Sequence, residues 1–149
     1  MLTQTLKDLF LRELNKLKKE IASYQYEKTL WVIDKNIANS GGNLCLHLIG
    51  NLNTYIGKEL GNVSYIRNRD LEFSQKDIPR DELIRKIEET TAIVEKALDL
   101  LTDAQLKEEY PVLVFAEKTS TEFLLVSLLS HLSYHLGQIN YHRRLLDNG

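Results

Sequence analysis

The sequence is poor in the residues that cross-link or interrupt a chain. Its 149 residues include one cysteine, Cys45, so no disulfide can form within the chain. Only two prolines occur, Pro79 and Pro111, and each stands where a helical pattern of apolar residues breaks. A chain with so few interruptions has room for long helices.

Long apolar runs and blocks of basic residues are also missing. The most apolar stretch, FLLVSLLSHLSYHLG, is too short and too polar to cross a bilayer, and the N-terminus lacks the continuous apolar segment of a signal peptide. The net charge is −2, without the basic face that is typical of nucleic-acid-binding proteins. We therefore expect a soluble cytoplasmic protein that binds neither membrane nor nucleic acid.

What the sequence does contain is helical periodicity. Apolar residues make up 43% of the chain and charged residues 27%, an ordinary balance for one domain over residues 1–149. Apolar residues recur at spacings of three and four, which predicts helices over roughly 2–23, 42–60, 80–101 and 120–146. Asn39 or Ser40 is a candidate cap of the second helix, and Gly61 suits a left-handed cap at its end. The pattern predicts an all-α fold, a four-helix bundle with long connections.

The predicted connections are longer than a bundle usually has. The links 62–79 and 102–118 hold about 15 to 18 residues, against roughly 2 to 8 in most bundles. A simple up-down-up-down order is therefore not assured, and loops of this length are often functional. The segment YPVLVF in the second link fits either a short strand or an apolar loop.

Three of the four histidines lie in SHLSYHLGQINYHRRLL, residues 130–146. On a helix His131, His135, Gln138 and His142 fall within about 60° of each other, and two imidazoles at i and i+4 can bind one metal. His47 lies on another apolar helix, where an unpartnered imidazole would cost about 1–3 kcal/mol. If the two helices face each other, three histidines leave one coordination position open, as in catalytic metal sites. The alternative is that these histidines are hydrogen-bonded core residues.

The residues around the histidines offer further candidates, each with a structural alternative. Asn43 and Asn51 lie one turn on either side of His47, either as pocket residues or as a helix cap and a solvated amide. Gln138 is a candidate to orient His135 or a substrate. The spacer between His131 and His135 lacks the glutamate of H-E-x-x-H, which disfavours protease chemistry.

Two arginines and one cysteine complete the set of candidates. Arg67 and Arg69 in RNRDLEF either clamp a substrate carboxylate or pair with Asp70 or Glu72, and the ion pair is favoured. Cys45 is about 200° from His47 around the helix, so it is predicted to be a buried, inert thiol. His142, near the end of the chain, is expected to lie outside the metal ligands.

Three motifs occur in order, GNLCLHLIGNLNTYIG, RNRDLEF and HLSYHLGQI. Together they resemble the DinB superfamily, close to its DUF1572 branch, over the chain from the second to the fourth helix. The resemblance implies a bundle with a non-simple connection order, a homodimer, and a divalent metal, zinc or nickel. By motif position the metal would be held by His47, His131 and His135.

The resemblance also implies a chemistry. Related proteins include metal-dependent transferases and isomerases that use small-molecule thiols such as bacillithiol, mycothiol or glutathione. One hypothesis is therefore a thiol transferase or hydrolase-like enzyme whose open metal position faces a cleft lined by the links 62–79 and 102–118. The other is a non-catalytic bundle that binds a metal or small ligand, or serves as a dimer scaffold. Phe10, Leu14 and Tyr24 widen the apolar face of the first helix, which supports the homodimer.

Overall fold

The computed structural model describes residues 1–148, and within that range it is helical, with no β-strand and one isolated bridge between Glu109 and Ser120. The predicted all-α, four-helix bundle fold is confirmed. The four long helices are α1 (Leu2–Ser23), α2 (Gly41–Leu52), α4 (Arg80–Leu100) and α6 (Thr121–Leu146). The shorter elements are a 3₁₀ turn (Glu27–Trp31), a π-helical extension of α2 (Asn53–Lys58), α3 (Arg69–Ser74) and α5 (Asp103–Leu106).

The long helices are not packed in chain order. α1 packs against α4 and α6, and α2 packs against the same two helices. Going around the bundle, the order is therefore α1, α4, α2, α6, so that α1 and α2 lie on a diagonal. A simple up-down-up-down bundle would place these two consecutive helices side by side. The long connections make the diagonal order feasible.

Helix α2 is the most deeply buried element. All twelve of its residues are buried, including the polar residues Asn43, His47 and Asn51. A helix that is apolar on all sides belongs in the interior of a protein. The sequence of α2 therefore places His47 inside the bundle, facing neighbouring helices rather than water.

The ends of the helices follow their capping residues. Ser40 caps α2 by accepting a hydrogen bond from Asn43 N, and Ser120 caps α6 by accepting one from Phe123 N. The left-handed residue after the second helix is Asn62, with φ 55°, and not Gly61 as predicted. The reason is that Gly61 N still donates to carbonyls of the last helical turn, so the chain reverses one residue later.

Both long links contain structure that the periodicity did not predict. The link 62–79 contains α3, and the link 102–118 contains α5, which a Thr102–Gln105 capping box stabilises. The segment YPVLVF forms no strand and is an irregular loop. Helices of four to six residues leave too few apolar repeats for a pattern to indicate them.

The wide apolar face of α1 is covered within the chain. Phe10, Leu14 and Tyr24 are all at most 1% exposed, because α1 lies between α4 and α6. The width of this face therefore does not require a second chain, and the homodimer stays a prediction that rests on the resemblance. Among the helices of residues 1–148, none has the length and apolarity to span a bilayer.

Candidate metal centre

Three histidines from two helices meet at one point. The Nε2 atom of His131 lies 3.1 Å from Nε2 of His47 and 3.1 Å from Nε2 of His135. One nitrogen from each ring lies within 4.8 Å of the other two. Two imidazoles bound tetrahedrally to one zinc at about 2.0–2.1 Å would have nitrogens about 3.3–3.4 Å apart, a few tenths of an ångström more than the two distances of 3.1 Å. The three side chains therefore fit a single metal ion without rearrangement of the helices.

Hydrogen bonds at the far nitrogens set the tautomers of two of these rings. His47 Nδ1 lies 3.0 Å from Glu72 Oε1, and His135 Nδ1 lies 2.7 Å from Gln138 Oε1. A carboxylate or amide oxygen only accepts, so each Nδ1 carries the proton and donates it. The Nε2 lone pairs of His47 and His135 are then free and point towards the shared centre.

The third ring, His131, has no hydrogen bond at its far nitrogen, the buried Nδ1, within residues 1–148. Burial, followed by the neighbouring His135 and His47, lowers the pKa of His131 to about 4. Burial also lowers the pKa of His135. Both rings are therefore neutral at pH 7, the state in which imidazole binds a metal.

Glu72 is the acidic residue behind the centre, and it is almost fully buried. Arg67 Nε donates to its Oε2 at 2.8 Å, and Arg67 Nη2 donates to its Oε1 at 3.0 Å. Burial by itself would raise the pKa of Glu72, but the hydrogen bonds from His47 and Arg67 outweigh burial and lower it. Glu72 is therefore an ionised carboxylate with both oxygens occupied.

The two arginines of RNRDLEF have different surroundings. Arg67 makes the ion pair with Glu72, which is the structural alternative that the sequence favoured. Arg69 is exposed at the start of α3 and makes no ion pair with any residue that the structure describes. The pKa of His131 is lowered first by burial, then by the neighbouring histidines and Arg67, and the positive charge of Arg69 lowers it further. Arg69 is thus a solvent-facing cation at the edge of the centre.

Asn43 does not contact the histidines. Its Nδ2 donates to the backbone oxygens of Glu72 at 3.0 Å and Gln75 at 2.8 Å. Its Oδ1 accepts from Ser40 Oγ and from Lys76 Nζ. Asn43 is therefore neither a cap nor a ligand of the centre, and it fastens α3 to α2.

The remaining amide and the remaining histidine among the candidates are Asn51 and His142. Asn51 is buried, and its Oδ1 has no hydrogen-bond partner in the described part of the chain, so it is not a solvated amide. His142 donates from Nε2 to Val32 O at 2.8 Å, and its Nδ1 lies 2.7 Å from Tyr24 Oη. His142 is thus a core histidine outside the centre.

Cys45 is fully buried on α2 and does not belong to the cluster of histidines. Burial raises the pKa of its thiol to about 12. Such a thiol stays protonated at neutral pH. The structure therefore agrees with the expectation of an inert cysteine.

The two long links approach the centre to different degrees. The first link borders it directly, because the ring of Phe73 lies 4.9 Å from the ring of His47. The second link reaches its surroundings through Tyr110, which donates to the backbone oxygen of Tyr55 at 2.6 Å. The Tyr55 ring in turn lies 5.8 Å from the Arg67 guanidinium. A surface cavity of about 420 Å³ lies between the second link and the start of α6. It is lined by Phe115, Ala116, Glu117, Thr119, Phe123 and Ser127, and Ser127 is one helical turn before His131.

Sequence reasoning considered Glu72 only as the partner of an arginine, and missed its contact with His47. The sequence did contain an indication of this contact, because Glu72 is an acidic residue in RNRDLEF, one of the three motifs that carry the family resemblance. Histidines that bind metals usually donate their second N–H to a carboxylate or carbonyl. An acidic residue in the same family pattern was therefore a candidate partner for His47.

Comparison with known proteins supports the fold and the family. A family described as "Protein of unknown function (DUF1572)" matches residues 2–149. Among solved structures, a conserved protein from Enterococcus faecalis superposes with a TM-score of 0.75 at 16% identity, over 97% of this chain and 96% of that chain. At this identity the likeness shows the fold alone. No curated protein matches the sequence.

Proposed function

We propose that the chain, which belongs to the DUF1572 family, is a divalent-metal-dependent enzyme of the DinB superfamily that transfers a small-molecule thiol. The observation that carries this proposal is the convergence of the Nε2 atoms of His47, His131 and His135. Three protein ligands are typical of catalytic zinc sites, which keep one position for substrate or water. Imidazole donors suit zinc, nickel, copper and iron(II), and the resemblance to the DinB superfamily favours zinc or nickel among them.

The donor set fits a cation on electrostatic grounds. Neutral rings at His131 and His135, together with the free Nε2 of His47, direct electron density at one point inside the protein. Without a cation, an Nε2–H of His131 can donate to only one of the two neighbouring Nε2 atoms, so one lone pair stays unpaired in a poorly solvated place. A bound divalent ion would supply Lewis acidity, lowering the pKa of a thiol so that it reacts as a thiolate at neutral pH.

The side chains around the centre orient the ligands, exclude water and attract the cosubstrate. Glu72 and Gln138 hold the Nδ1 protons of two ligands, and Phe73 shields one side of the His47 ring from water. Glu72 does not serve as a general base, since both its oxygens are occupied by Arg67 and His47. Arg69 supplies a positive charge that attracts an anionic cosubstrate to the edge of the site.

A second candidate function is a non-catalytic bundle that binds a metal or a small ligand. The observation in its favour is that Arg67, one of the two arginines considered for a substrate carboxylate, is engaged by Glu72. Among the candidate residues, this leaves only Arg69 to recognise an anionic substrate. The two functions share the metal site and differ in turnover.

The experiment that tests the proposal is a conjugation assay with metal-loaded protein. Bacillithiol, mycothiol and glutathione are each combined with the electrophile 1-chloro-2,4-dinitrobenzene, with metal-free protein as the control. We expect metal-dependent conjugation with at least one thiol, and its loss in His135→Ala. Stoichiometric metal binding without rate enhancement for any thiol would contradict transferase activity and favour the non-catalytic function.

A further inference from the structure

Gly50 leaves room for a carboxylate behind the metal centre. A Cβ atom at position 50 would lie 1.9 Å from Glu72 Oε2 and 2.6 Å from Glu72 Cδ. Both distances are far below van der Waals contact, so any side chain at position 50 would displace the carboxylate. The close approach of Glu72 to α2 therefore depends on glycine at this position.

One face of α2 holds the whole segment that carries Glu72. Asn43, His47 and Gly50 are spaced by four and three residues, so they lie on the same side of the helix. Asn43 binds the backbone of Glu72, His47 meets its carboxylate, and Gly50 gives that carboxylate space. Backbone and side chain of Glu72 are thus fixed independently by α2.

Arg67 completes the fixation from the other side. It donates two hydrogen bonds to the Glu72 carboxylate, a bidentate arrangement that restricts both the position and the plane of the acid. Glu72 therefore has little freedom to turn away from His47. With its oxygens so placed, the ionised carboxylate accepts a hydrogen bond from the Nδ1–H group of His47 and has no proton to donate.

We propose that Glu72 is a positioning residue for the metal centre, which fixes His47 in the Nδ1–H tautomer so that Nε2 is free to bind. Gly50 and Arg67 act through Glu72. The inference rests on the metal site of the proposed function and is independent of any thiol chemistry. Three neutral imidazoles and a charge-balanced Arg67–Glu72 pair add no net charge to a bound divalent ion. This donor set therefore favours an anionic external ligand, such as a thiolate, over a neutral one.

Glu72→Gln tests the proposal while keeping the volume of the side chain. The amide has one acceptor oxygen, whereas Arg67 and His47 together direct three N–H groups at the two carboxylate oxygens. If the amide nitrogen takes the place of Oε1, it donates to His47 Nδ1 and moves the imidazole proton to Nε2, while it also faces the Arg67 Nη2 donor. If it takes the place of Oε2, it faces the Arg67 Nε donor, and the side chain is pushed out of position.

The first measurement is the tautomer of His47 in metal-free, ¹⁵N-labelled protein, from long-range ¹H–¹⁵N spectra. We expect the proton on Nδ1 in the wild type and a population with the proton on Nε2 in Glu72→Gln. The second is zinc affinity by competition with a chromophoric chelator. Loss of a partner behind a ligating histidine should weaken binding about 10- to 100-fold.

Two glycine variants provide a matched pair. Gly50→Ala should displace Glu72 and weaken zinc binding by a factor similar to that of Glu72→Gln. Gly137→Ala on α6 is the control, because a Cβ there meets no atom within 4 Å, and it should bind zinc as the wild type does. Circular dichroism and thermal unfolding show that each variant is folded before affinity is compared.

The outcomes separate this inference from the proposed function. A wild-type His47 that carries its proton on Nε2, or a folded Glu72→Gln variant with affinity within twofold of the wild type, overturns the positioning role. A wild type that binds no zinc or nickel overturns the proposed function. In that case the tautomer in the metal-free protein still decides whether Glu72 orients His47.

Discussion

The Nε2 atoms of His47 and His131 lie 3.1 Å apart, although 84 residues separate the two histidines in the chain. They meet because α2 and α6 are neighbours in the bundle, while the intervening α4 packs beside both α1 and α2. The centre is therefore a product of the diagonal helix order. A bundle of simple order would keep α2 next to α1 and the histidine pair of α6 on another side.

Stability of the metal-free protein should fall as the pH is lowered from 7 towards 5. Burial lowers the pKa of His142 below its ordinary value, so below about pH 6.5 the unfolded state binds more protons than the folded state. This contribution is fully present above that pH and is lost as the pH falls through the folded pKa. His131 and His135 act in the same direction.

The variant His142→Gln isolates one of these contributions. Urea unfolding at pH 7.5, 6.5 and 5.5 should show a shallower pH dependence for this variant, by up to about 1.4 kcal/mol per pH unit. At pH 7.5 the variant should be less stable, since Tyr24 and Val32 lose the partner that they share. An unchanged pH dependence would contradict the assignment of His142 as a buried neutral histidine.

Replacement of Cys45 by alanine should leave metal content and conjugation activity largely intact. The thiol is buried, has a pKa raised to about 12, and lies outside the histidine cluster. Loss of its sulfur should lower the free energy of unfolding by about 1 kcal/mol, as expected for a small cavity. A folded Cys45→Ala protein with normal metal content but no activity would show that the nucleophile is a thiolate of the protein itself.

Asn43→Ala should destabilise the protein by about 1–3 kcal/mol, because two backbone carbonyls of the α3 segment lose their buried donor. It should also weaken zinc binding, since Glu72 is no longer held beside His47. The exposed Asn36→Ala is the control and should change neither property. Urea unfolding and chelator competition provide the two measurements. Unchanged zinc affinity in a destabilised Asn43→Ala would mean that the contacts of the Glu72 carboxylate hold it in place without Asn43.

The homodimer is tested by light scattering at micromolar concentration. A chain of 17.3 kDa should give about twice that mass if the resemblance to dimeric relatives extends to this protein. The exposed Tyr134, Tyr141 and Leu145 on α6 provide apolar area outside the core for such a contact. A mass equal to that of one chain would refute the dimer without affecting the metal centre.

The sequence predicted those parts of the structure that repeat over many residues. The bounds of α1, α4 and α6 follow from long apolar stripes, and Ser40 and Ser120 lie at the predicted helix starts. The histidine pair of α6 follows from its spacing of four residues. That His47 joins the pair rested on the resemblance, because no periodicity within a helix specifies which helices become neighbours.

Glu72 shows why the local pattern of the sequence did not specify the rest of the site, even though the family pattern made this residue a candidate. Its contact with His47 requires a six-residue helix too short to leave a pattern, an amide that fastens this helix, and a glycine that makes space. The sequence alone does not say which atom approaches Gly50, so its role beside the Glu72 carboxylate becomes visible only in the folded chain. Each of these features depends on tertiary contacts between segments that local propensity treats separately.

The most direct test of the account is the metal content of protein purified without a histidine tag, incubated with zinc or nickel and freed of excess metal. The wild type and the control His142→Gln should each retain about one divalent ion per chain, whereas His47→Ala, His131→Ala and His135→Ala should retain almost none. A folded wild type that retains no metal, or three alanine variants that retain as much as the wild type, would contradict the metal centre.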